Sequence, residues 1–459
     1  MICKIRSALS PGAARLSNFR PRIALLQLAV LLLLFLSGQT SQAYSVLTHE
    51  QIVDLLWKEQ IRPLLKARYP NATDDDLRKA HAYAYGGCLI QDIGYYPFGN
   101  KLFSDLVHYV RSGDFVDNML DEAQDINEYA FALGALAHYA SDIAGHPAVN
   151  TAVAQTFPKL EAKYGNSVTY ADNPTAHIRT EFGFDVAQVA QDRFTSQAFH
   201  DFIGFEVSKP LLQRAFLATY GMPIETIVPN LDRSIGSFRH CVSTLIPQLT
   251  RVAIAMKKDE IMKEDPTMTR KKFIYHLKES EYRRDFGKEY QRPGFGARLL
   301  ALILRILPKI GLLKTLDVKM PTPDTENIYM KSVNDSRDQY SKELKEAQHG
   351  KMNLENRDFD TGKETKAGEY PLTDDAYSEL LNKLADAHFA QLTPDLKANI
   401  LTFYDNPKPP AFAAKHPDRW TKTLASLDQL KSASAAPQSA APTSTSMTMP
   451  SSGSLQPSH

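Results

Sequence analysis

The stretch Asn127–Asn150, NEYAFALGALAHYASDIAGHPAVN, most constrains what this chain can fold into, because it sets His138, Asp142 and His146 four residues apart within an apolar run. A step of four drifts only about 40° around a helix, so the three side chains share one face. Phe131, Leu133, Leu136 and Ile143 clothe the other faces, which predicts a buried helix. Polar groups on a buried helix need partners. Two imidazoles around a carboxylate are good zinc donors, whereas a His-x3-Asp pair alone is more often a hydrogen-bonded helix pair. The rest of the chain has to decide.

Residues 1–43 carry Lys4, Arg6, Arg15, Arg20 and Arg22 and no acid, then the apolar run Ile23–Leu36 and Ser41-Gln42-Ala43. That is the pattern of a secretory signal peptide cut after Ala43, and the apolar run is short for a membrane span of about 20 residues. The expectation is a secreted or periplasmic protein whose mature chain starts at Tyr44. Without the signal, 48 basic side chains stand against 52 acidic ones, a net charge of −4, which argues against a general nucleic-acid binder. At 459 residues and 43% hydrophobic, the chain can bury a large core. Cys88 and Cys241 remain, either as one disulfide or as two buried thiols, with no cysteine cluster for a thiolate metal site.

From Tyr44 to about Arg251 helical periodicity dominates, predicting an all-α fold. Thr48 is placed to cap a helix through Ile52, Leu55, Leu56 and Trp57, with His49 beside its start. A second helix over about Asp75–Ile90 ends where Gly94 and Pro97 break the pattern, which puts Asp92 at a helix-to-loop junction. His108 lies in the apolar segment Phe103–Val110, and His177 and Glu181 stand four apart after Pro174. Each is ordinary alone: a turn Asp, a satisfied core histidine, a surface pair worth a few tenths of a kcal/mol. Of the six histidines before residue 180, only His81 lacks such a context, so the set is weighed jointly.

The series Thr48-His49, Asp92-x2-Tyr95-Tyr96-Pro97, His108, His138-x3-Asp142-x3-His146 and His177-x3-Glu181 resembles the zinc-dependent phospholipase C family, in order and approximate spacing, over about residues 44–190. The resemblance implies three Zn2+ ions. The Tyr44 amino and carbonyl groups, His49 and Asp142 would hold one. Asp92, His108 and His138, with Asp142 bridging, would hold the second, and His146, His177 and Glu181 the third. It also gives Asp92 a catalytic part, assisting proton removal from the attacking water. Tyr44 stands where family members often begin with Trp. The three-residue gap before His146 is shorter than in the secreted bacterial phospholipases and resembles the catalytic domain of glycosylphosphatidylinositol-specific phospholipase D. The related single-strand nucleases usually close their site with His-x3-Asp; Asp185, four residues past Glu181, is the feature that keeps that reading in view.

Residues 251–320 hold 17 Lys or Arg against 9 Asp or Glu. Within them Gly294–Leu307 is expected as a short apolar helix with Arg298 and Arg305 on one face, too short to span a bilayer but suited to a membrane surface through 290–320, or to a core with snorkelling arginines. Glu346–Glu369, rich in Lys, Asp, Asn, Gly and Glu, is expected as an exposed connection, and Asp374–Leu392 as a helix. From Lys431 the Ser, Ala, Pro and Thr composition predicts a disordered tail. The organisation expected is therefore a signal peptide at 1–43, a zinc-dependent phospholipase C-like catalytic domain at 44–255, a basic, mostly helical accessory region at 256–430 and a tail at 431–459. The function expected is hydrolysis of phospholipids or related phosphodiesters. The alternatives are phospholipase D-type cleavage, a nuclease on the same metal site, and a non-catalytic lipid-binding envelope protein with a structural metal.

Overall fold

The computed structural model describes residues 46–190, 205–242, 246, 318–350 and 352–435. The signal segment, Tyr44, Gly294–Leu307 and nearly all of the expected tail lie outside these residues. Among the described residues the chain is all-helical, with 14 α-helices, no strand and a lone antiparallel bridge between Arg357 and Glu364. In order they are α1 Val46–Leu56, α2 Arg62–Arg68, α3 Asp74–Gly87, α4 Lys101–Tyr109, α5 Ser112–Glu122, α6 Ile126–Thr156, α7 Pro158–Tyr164, α8 Pro174–Ala190, α9 Lys209–Tyr220, α10 Leu231–His240, α11 Pro323–Gln348, α12 Pro371–Asp386, α13 Pro394–Phe403 and α14 Pro417–Ser432. No described helix is long and apolar enough to cross a membrane.

The axis of the fold is α6, which extends the helix expected at 127–150 as far as Thr156 at its far end. Asp125 starts it by accepting from the Asn127 and Glu128 N–H groups. Helix α6 is apolar nearly all round, from Phe131 through Leu136 to Val153, and so it is enclosed by neighbours. Helix α3 packs against it at very close range: a Cβ on Gly87 would stand 1.9 Å from the Phe131 carbonyl oxygen, and one on Gly134 would stand 2.1 Å from that of Ala84. Only glycine permits that approach. On another side lies α11, whose Tyr340 hydroxyl donates to the Leu133 carbonyl and whose apolar Tyr329, Val333 and Leu344 are buried.

Two local expectations are revised. Thr48 does not cap α1: it lies inside the helix, where its hydroxyl donates to Asp185 at 2.7 Å and the Leu47 N–H reaches the same carboxylate at 3.1 Å. Nor is Glu346–Glu369 an exposed connection throughout, because Asp358, Phe359 and Asp360 are buried. Asp358 accepts from Thr373 and the Phe359 N–H donates to the His108 carbonyl, so a polar stretch is drawn inward by its hydrogen bonds. Of the expected surface segment 290–320, only 318–320 are described; Val318 is buried there and the Lys319 N–H donates to the Arg179 carbonyl. Helix α14 continues through Ser432, with Leu430 buried. Cys88 and Cys241 are both buried and free.

Candidate metal centre

Five segments deliver the polar residues singled out in the sequence to one place. His49 comes from α1, Asp92 from the 3-10 turn Ile90–Tyr95, His108 from α4, His138, Asp142 and His146 from α6, and His177 and Glu181 from α8. All are buried, Glu181 being the most exposed at 3%. They form three groups whose donor atoms lie within 4.8 Å of one another: His49, His138 and Asp142; Asp92, His108 and His138; His146, His177 and Glu181.

Asp142 is the hub. Its carboxylate lies 3.5 Å from His49 Nε2, 3.5 Å from His108 Nε2, 3.1 Å from His138 Nε2 and 3.6 Å from His146 Nε2. Asp92 is 3.5 Å from His108 Nε2. Most of these separations are long for hydrogen bonds. They match the spacing of about 3.4 Å between two donors that each sit 2.0–2.2 Å from one tetrahedral ion.

The backbone orients the rings. His108 Nδ1 faces the Ser104 carbonyl at 2.7 Å, His138 Nδ1 the Cys88 carbonyl at 2.9 Å and His177 Nε2 the Val168 carbonyl at 2.6 Å. Carbonyls only accept, so each of these nitrogens carries the proton, and in the neutral ring the other nitrogen presents a lone pair to the centre. The His138 carbonyl contact follows from the glycine-mediated approach of α3 to α6. His49 stacks on His138 with centroids 4.4 Å apart.

The donor set fits a cation. His108 Nε2 and His138 Nε2 meet at 3.4 Å, two lone pairs that repel unless a positive charge lies between them. Both oxygens of Asp92, both oxygens of Asp142 and both nitrogens of His146 are buried without a hydrogen-bond partner, a costly arrangement unless metal coordination supplies the compensation.

Charge among the protein groups of the centre is divided unevenly. Burial opposes a proton on His108, but the neighbouring Asp142 and Asp92 carboxylates outweigh it and carry the imidazole up to about 10. His146 is likewise raised to about 9, burial being overcome by Asp360 and Asp142. Burial, reinforced by His138, holds His49 well below its usual value, and burial takes His177 down to about 4. Burial raises Asp92 and Glu181. For Asp142 burial acts in the same direction, but the surrounding imidazoles win and its pKa falls well below normal.

His81, the histidine without a motif, is a core residue: it lies 3.0 Å from Asp54 and stacks between Trp57 and Tyr85. Asp185 holds Leu47 and Thr48 at the start of α1 and belongs to none of the three groups. Sequence reasoning missed Asp360, whose Oδ1 lies 3.3 Å from His146 Nε2. Its available signal was a Phe between two acids in Asp358-Phe359-Asp360-Thr361-Gly362, an apolar anchor within a turn sequence.

Residues 48–227 match the family described as zinc dependent phospholipase C. No curated protein and no solved structure matches the chain.

Proposed function

Since residues 48–227 form a zinc-dependent phospholipase C family domain, of an enzyme family that cleaves phosphodiesters, we propose that this protein is an exported phospholipase C-type hydrolase acting on phospholipids or related phosphodiesters. The observation that carries the reading is the hub at Asp142, around which three buried donor groups adjoin. His49, Asp92, His108, His138, Asp142, His146, His177 and Glu181 would hold the metal, three ions being the number of groups, and the Tyr44 main chain is proposed as a further donor. Bound zinc supplies a water of lowered pKa and neutralises charge on the phosphoryl oxygens.

The chain's own residues do the rest. Ser104, Cys88 and Val168 fix the imidazole tautomers through their carbonyls. Asp142 brings one negative charge to several imidazoles at once. Asp92, a buried carboxylate of the second donor group, would accept the proton of the attacking water. Export rests on the basic and apolar pattern of residues 1–43.

The test is zinc per chain together with the products formed from phospholipid by the purified mature protein. Diacylglycerol supports C-type cleavage, and phosphatidic acid would move the reading to D-type. Zinc-loaded protein that binds vesicles without turnover would make it a lipid-binding protein instead. The absence of bound zinc would refute the metal-centre reading itself.

A further inference from the structure

Asp360 lies far outside the family-matched segment, yet its side chain is wholly buried in the centre. The two carboxylate oxygens are treated differently. Oδ2 accepts from the hydroxyls of Tyr109 and Tyr370, whereas Oδ1 has no hydrogen-bond partner and stands 3.3 Å from His146 Nε2. That separation is again the edge expected between two donors on one tetrahedral ion. Two phenols fixing one oxygen while the other stays bare is how a ligating carboxylate is oriented by its surroundings.

The turn that carries Asp360 is fastened to the centre at several points. The Phe359 N–H donates to the His108 carbonyl, the Asn150 side-chain amide donates to the Asp360 carbonyl, and the Phe359 ring meets the His108 ring edge-on at 5.1 Å. Gly362 closes the turn at φ 67°, where a Cβ would stand 2.6 Å from the Ile143 carbonyl oxygen. In a regular helix that carbonyl would receive the N–H of residue 147, which is a proline. Helix α6 is thus adapted to this turn one helical turn around His146.

We propose that Asp360 is a further protein ligand of the metal position at His146, beside the group His146, His177 and Glu181. The inference rests on the metal-centre reading above. It gives the segment 352–370, outside the matched residues, a chemical role.

The test compares the full mature chain with Asp360→Asn, each loaded with zinc, for metal content, for zinc affinity by chelator competition and for the visible spectrum after cobalt(II) substitution. The expected result is one tightly held ion fewer per chain, with affinity at that position down by more than about 100-fold, beyond the 10–100-fold typical of losing a group that only orients a ligand. The cobalt spectrum should change with it. Tyr370→Phe, which keeps the carboxylate, should weaken the same position by about 10-fold, and it serves as the test if Asp360→Asn does not fold. Unchanged zinc content, affinity and cobalt spectrum in a folded Asp360→Asn protein would overturn the inference while leaving the metal centre standing; a wild-type chain without zinc would overturn both.

Discussion

Replacing Asp142 with Asn is the most informative single perturbation, since it removes a charge and a donor with almost no change in shape. The carboxylate faces imidazoles from all three donor groups at 3.1–3.6 Å, and on the function proposed above it would bridge two metal positions. Zinc present at about 100 times its dissociation constant stabilises the fold by ~2.7 kcal/mol per position. If the substitution weakens two positions by about 100-fold each, roughly 5 kcal/mol of zinc-dependent stability disappears. For a protein of this size that corresponds to roughly 6 °C of the zinc-induced rise in Tm. The zinc-free protein also changes, because Asp142 has a depressed pKa and stabilises its imidazolium neighbours at neutral pH. The quantity to compare is therefore the difference with and without zinc within each protein, by calorimetry, alongside metal content. An unaltered zinc-induced shift with full metal content would refute the hub. Loss of one ion alone would show that Asp142 serves a single position.

Zinc binding should expel protons: His108 and His146, raised to about 10 and about 9 in the zinc-free centre, must lose theirs to ligate, so affinity should climb between pH 6 and 9, and a pH-independent chelator titration would contradict this. Glu343 on α11, raised by burial from 4.5 to about 8, keeps its proton in the fold. Its contribution is whole below pH 4.5 and is lost as pH rises to about 8, so Glu343→Gln should gain on the order of 5 kcal/mol over the parent at pH 9 by urea denaturation; parallel pH profiles would exclude it. Gly134→Ala would push a Cβ to 2.1 Å from the Ala84 carbonyl oxygen and should cost about 1–3 kcal/mol or more, together with zinc affinity through His138, whereas wild-type stability would show that α3 and α6 can separate freely.

The helices and most of the donors were legible because their information is local. The four-residue steps at His138, Asp142, His146 and at His177, Glu181 are properties of single helices, and burial of α6 follows from its own apolar residues. Asp92 and His108 were legible only jointly with these, since a turn Asp and a core His each have ordinary uses. The extent of α1 was misjudged because Thr48 finds its acceptor in Asp185, a partner on α8 that no local pattern reveals.

Asp360 escaped for a stronger version of the same reason. Apart from Phe359, its neighbours are Asp, Thr, Gly and Lys, a composition that elsewhere belongs to exposed turns. What reverses that expectation is a set of partners distant in sequence: the His108 carbonyl, the Asn150 amide and the Tyr109 hydroxyl. Burying a turn is tolerable only when its polar groups are met, and here α4 and α6 meet them. The same contacts tie the later part of the chain to the centre, because α11 lies along α6 and the turn after it reaches His146. A truncation ending at residue 255 would therefore remove the cover of α6 and one of the centre's carboxylates together. It should aggregate or lose metal, and a soluble, fully zinc-loaded truncation would show that residues 44–255 form the centre unaided.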